Sequence, residues 1–104
     1  VLRLRVRGRQ ARLPELALWS LRADGLRQYQ VVQTGADALL VRCELADAAC
    51  WSAVDREVRT GLTRLVQEHT GLAGVRVRCE RVAALLPDRA TGKISRVRPL
   101  PVSA

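Results

Sequence analysis

Trp51, Val54, Val58, Leu62, Leu65 and Val66 follow one another at spacings of 3, 4, 4, 3 and 1. That spacing puts all of them on one side of a helix. The helix is predicted over about 48–69, with Asp47 as its N-cap and Gly71 as its stop. A single apolar stripe of this length must be laid against another layer. The flanking segments have a different period. "ALLVRCEL" at 38–45 and "GVRVRCERV" at 74–82 alternate with period two, as half-buried strands do. Leu39, Val41, Cys43 and Leu45 share one face of the first, and Val75, Val77 and Cys79 share one face of the second. The layer under the helix is therefore a sheet.

The first half repeats the scheme. "LRLRVR" at 2–7 reads as a strand with Leu2, Leu4 and Val6 inward, ended by Gly8. Residues 9–14, "RQARLP", read as a loop. "LPELALWSLRAD" at 13–24 reads as a helix, with Pro14 in the first turn and Gly25 beyond the end. Leu13, Leu16, Ala17 and Leu21 form its apolar face, joined by Leu18 or Trp19. "RQYQVVQT" at 27–34 is a further strand, and "TGAD" at 34–37 turns it into a hairpin with 38–45. The order is βαββαβ. A chain of 104 residues holds one domain, 1–104. The expected fold class is α+β: a small mixed or antiparallel sheet with two helices packed on one face. Residues 83–104, punctuated by proline and glycine, are expected to form a mobile loop and an extended C-terminal tail.

Charge and cysteine usage narrow the function classes. Eighteen basic against ten acidic side chains give a net charge of +8, and Arg3, Arg5, Arg7 and Arg9 alternate as if to line one face of a strand. Such a stripe suits phosphates, but single-strand readout also needs stacking aromatics. Only Trp19, Tyr29 and Trp51 are present, none within the stripe, which argues against nucleic acid. No apolar run approaches the roughly 20 residues of a membrane span, so no membrane partner is expected. Cys43, Cys50 and Cys79 are odd in number and lack CxxC spacing, which fits a reducing, cytoplasmic setting. Cys43 and Cys79, in the similar tetrapeptides "VRCE" at 41–44 and 77–80, read as small buried hydrophobes. His69 suits the C-terminal end of the long helix. It has no second ligand nearby, so no metal site is expected. Asp55 with Arg59, and Glu57 with Arg64, read as surface charges.

Lys93 is the only lysine among those eighteen basic positions, and it follows a glycine, Gly92. Lysine is a compact charge on a flexible stem, whereas arginine is a planar fork. A lysine beside a glycine is suited to placing one positive charge on a crowded oxygen. Its surroundings, "LLPDRATGKISRVRPL", resemble the closing motif of the adenylate-forming acyl- and aryl-CoA ligases, P-R-x-x-x-G-K-[IL]-x-R. Pro87, Arg89, Gly92, Lys93, Ile94 and Arg96 fit it, with Asp88 inserted. Val6-Arg7-Gly8, Pro14 and Tyr29-Gln30-Val31-Val32 resemble the phenylacetate–CoA ligase branch. The resemblance covers essentially the whole chain, as the small C-terminal subdomain of such an enzyme.

The resemblance implies a two-step reaction. A carboxylate attacks the α-phosphate of ATP, with Mg, giving an acyl-adenylate and pyrophosphate. The thiol of coenzyme A or of a phosphopantetheine then takes the acyl group. It implies Lys93 as the catalytic residue of the first step, with Arg89, Thr91 and Gly92 in the loop that supports it. It implies Arg7 and Gly8 in the loop that faces the thiol in the second step, after rotation of the subdomain. The implied partners are a large N-terminal adenylation domain, which binds most of the ATP and Mg, a carboxylic-acid substrate and an acyl-carrier protein. The isolated 104 residues would be inactive. The alternative is a non-catalytic βαββαβ interaction module that binds a carrier protein or RNA.

Overall fold

The computed structural model describes residues 2–46, 50–85 and 97–98. Its elements run β1 (Leu2–Val6), β2 (Arg9–Leu13), α1 (Glu15–Leu18), β3 (Leu26–Gly35), β4 (Ala38–Leu45), α2 (Trp51–Thr70), β5 (Arg76–Val82) and β6 (Val97–Arg98). The class is α+β, with two sheets. β1 and β2 form a two-stranded ribbon, and the other four strands lie in the order β5-β4-β3-β6. The larger sheet is mixed: β3 and β4 are antiparallel, while β4–β5 and β3–β6 are parallel.

The ribbon corrects the reading of residues 9–14 as a loop. Arg7 and Gly8 both take positive φ, 50° and 79°. This is the two-residue turn whose twist matches that of paired strands. Val6 therefore meets Arg9, and Leu2 meets Leu13. Glycine takes such a conformation freely, but arginine there is uncommon, so the turn is disguised. β2 is disguised as well, because only Ala11 and Leu13 turn apolar atoms inward. The ribbon is tied to the main sheet at the β3–β4 turn. The Arg5 N–H donates to the Ala36 carbonyl at 2.8 Å, and Gln33 Nε2 donates to the Arg3 carbonyl at 2.7 Å.

The predicted helix over 13–24 shrinks to one turn, α1. Its N-cap is Pro14, with no side-chain acceptor for the free amides, and a turn this short has no stability of its own. Leu13 is buried from β2, Ala17 and Leu18 from α1, and Leu21 from the segment beyond. Four apolar residues at helical spacing are thus supplied by three different pieces of chain. Leu16, expected inside, is 71% exposed, and Trp19 is 55% exposed.

α2 bears out the long stripe. Val54, Val58, Leu62 and Val66 are buried, Trp51 and Leu65 partly so, and Gly71 caps the end. It starts at Trp51 with Cys50 as N-cap; the expected cap Asp47 lies outside the described residues. The stripe packs on the sheet face that carries Tyr29, Val31, Leu39, Val41 and Cys43, all buried. α1 lies on the same side, where the Tyr29 hydroxyl donates to the Leu18 carbonyl. Gly61 within α2 has a packing reason: a Cβ there would stand 3.2 Å from Leu21 Cδ1.

Candidate functional site

Arg7 and Gly8 are the exposed tip of the β1–β2 ribbon. The alternating arginines do not form the expected stripe. Arg3 and Arg5 leave the outer face of β1, Arg7 sits in the turn, and Arg9 pairs with Val6 on the opposite face. Arg12 instead lies directly across from Arg3, and Gln10 across from Arg5. The outer face is thus a basic patch with a shallow depression of about 490 Å³ lined by Arg3, Arg5, Gln10 and Arg12. Like charges directly opposite repel, and no ion pair among the described residues involves these three arginines. Such a patch suits a phosphate group or a cluster of carboxylates.

Arg89, Thr91, Gly92 and Lys93 lie outside the described residues. The chain on either side of them is well placed. Leu85 is buried, and its N–H donates to Glu44 Oε1 at 2.9 Å. Gln28 Nε2 reaches Glu44 Oε2 at 3.5 Å. Glu44 is itself buried on the sheet face opposite α2, and its role as an anchor had no signal in the sequence beyond an acid within a strand. On the other side, Val97 and Arg98 form β6 and pair with Val31 and Val32 of β3. The expected loop and tail of 83–104 are therefore tied to the sheet at Leu85 and at β6. The described residues flanking Lys93 in sequence thus stand at Glu44 of β4 on one side and at β3 on the other.

The cysteines divide in two. Cys43 is fully buried and Cys79 half-buried on the α2 side of the sheet. The Cys79 thiol is hydrogen-bonded to Cys43 and buried beside Asp55, and both effects push its pKa far up. It stays a protonated thiol. Cys50 is exposed at the start of α2, with its sulfur 3.3 Å from Ser52 Oγ. That hydrogen bond, with help from the Ala53 amide, holds its pKa below the ordinary thiol value. The thiolate is the reactive form, so Cys50 should be alkylated by iodoacetamide before the other two. Its rate should reach half-maximum at a pH below that of a free thiol. Mass spectrometry of the labelled protein checks this; equal labelling of Cys79 in the native state would contradict it.

Among the described residues no three metal-ligating side chains cluster, and no helix is long and apolar enough to cross a membrane. His69 has no such companions, and Asp55 pairs with Arg59 at 3.0 Å on the surface of α2. Glu57 does not pair with Arg64; its Oε2 accepts from the Asp24 N–H at 3.2 Å. No protein-family model matches the chain, and no curated protein matches it.

Proposed function

We propose that the chain is the C-terminal subdomain of an adenylate-forming carboxylic-acid–CoA ligase. In this reading it delivers Lys93 to the first half-reaction and the Arg7-Gly8 turn to the second. The observation that carries the reading is a convergence of motif pieces far apart in sequence. Tyr29-Gln30-Val31-Val32 occupies β3, and the residues that follow the Gly92-Lys93-Ile94-Ser95-Arg96 run pair with β3 at Val31 and Val32. Val97 and Arg98, which follow the second ligase-like stretch directly in sequence, therefore lie beside the first. The third, Val6-Arg7-Gly8, ends in an exposed turn that a partner domain can approach.

The chemistry asked of Lys93 is electrostatic. A carboxylate and a phosphate repel as they approach, and a fixed cation offsets that repulsion as the bond forms. In the second step the acceptor is the thiol of coenzyme A or of a carrier-bound phosphopantetheine. The arginine face of the β1–β2 ribbon supplies charge for the acceptor's phosphates or for an acidic carrier. ATP and Mg would be held mainly by the large domain. The setting is cytoplasmic.

The reading is tested on the complete polypeptide from which the chain derives. Acid-dependent exchange of pyrophosphate into ATP should be lost when the region of these 104 residues is deleted. Exchange that continues at the normal rate without this region would refute the reading and favour an interaction module.

A further inference from the structure

We propose that the outer edge of β5 is a docking site for an extended acidic segment of another protein, which adds to the sheet as a further strand. This goes beyond the ligase reading and does not rest on it.

β5 is the terminal strand of the larger sheet among the described residues. Its pairing with β4 runs unbroken from Ala38↔Arg76 to Glu44↔Val82. The β3–β4 pairing, by contrast, has two register shifts. β5 also contains no proline. A long regular edge of this kind is open to further pairing, and proteins usually interrupt it.

The direction of its open groups follows from one hydrogen bond. The Arg76 N–H donates to the Asp37 carbonyl at 2.7 Å, toward β4. Backbone groups alternate sides along a strand, so Arg78, Glu80 and Val82 face β4 too. Val77, Cys79 and Arg81 then present their N–H and C=O groups to the open side. Among the described residues no strand pairs with this ladder of three.

The side chains beside this ladder define the occupant. On the α2 side a shallow depression of about 520 Å³, lined mostly by α2 residues that include Arg56, Arg59 and Arg64, reaches the edge at Val77. Arg59 is held by Asp55 at 3.0 Å, while Arg56 and Arg64 make no ion pair among the described residues. On the opposite face Arg78 is exposed and likewise without an acid. The arginines repel a second copy of this edge and attract an acidic strand. Positive charge thus blocks self-pairing while selecting a partner, a combination seen in strand-addition recognition, where backbone bonds give affinity and side chains give choice.

The probe is a synthetic nine-residue peptide alternating glutamate and valine, with a lysine-for-glutamate version as its counterpart. Fluorescence anisotropy on the 104-residue protein should show saturable binding of the acidic peptide and none of the basic one. The double change Arg56→Glu with Arg64→Glu should weaken binding at least about tenfold, and raised salt should weaken it on the unaltered protein. Amide exchange supplies the geometric readout. Val77, Cys79 and Arg81 should exchange rapidly in the free protein and become protected on binding, while Arg78 and Glu80 are protected in both states. Absence of binding would overturn the proposal. So would binding that leaves those three amides unprotected, the result expected if poly(dT) or another polyanion merely neutralised the arginines. Protection that rises with protein concentration alone would assign the edge to a second copy instead.

Discussion

If the ligase reading holds, replacing Lys93 with alanine in the complete polypeptide is expected to slow acid-dependent pyrophosphate exchange by about 10²–10³, the usual cost of removing a preorganised group at a developing charge. Thioester formation from a supplied acyl-adenylate should change far less, because in the proposed reading the lysine serves only the first step. Lys93→Arg should restore little, since a planar fork does not replace a point charge between two oxygens. A purely chemical role for the lysine predicts thermal unfolding nearly unaffected in both variants. Normal exchange by the alanine variant would make Lys93 a bystander. A collapse in melting temperature would make it structural.

Leu62→Ala is expected to have the largest effect on stability. Leu62 is fully buried in the stripe of α2. Truncating such a leucine removes its transfer energy and leaves a cavity, together costing about 2–5 kcal/mol. A domain of this size has roughly 5–15 kcal/mol in total. The melting temperature should fall by about 10–30 °C, read by circular dichroism. Leu16→Ala is the control: at 71% exposure it should shift the midpoint by very little, although a helical reading of 13–24 puts it inside.

That contrast shows what the residues alone disclose. α2 is legible because one element supplies its whole stripe and one sheet face receives it. β4 is legible for the same reason, since Leu39, Val41 and Cys43 are buried on a single face. The stretch 13–24 misleads because Leu13, Leu18 and Leu21 reach one core from three pieces of chain. Periodicity cannot distinguish that from a helix. β2 is hidden because Arg9, Gln10 and Arg12 give no alternation, and because an Arg-Gly turn does not look like the usual Asn-Gly. The arginine patch was hidden with it: Arg3 meets Arg12 only once the ribbon is known. Gly61 reads as a weakness of the helix until Leu21 is seen against it. Lys93 stands out in the sequence by type and neighbours alone, and the fold adds where its segment departs and returns.

Those two moorings set a tether. Lys93 is four residues from Val97 and eight from Leu85. A fully extended chain advances at most about 3.3–3.6 Å per residue, so the shorter arm limits the lysine Cα to roughly 14 Å from its mooring on β3. Rearrangement of the segment alone can sweep the ammonium group only within that radius, plus the length of its side chain. Any target farther away is reached, or left, by moving the sheet itself. An enzyme that must bring this charge in and then take it a long way out would have to turn the whole domain.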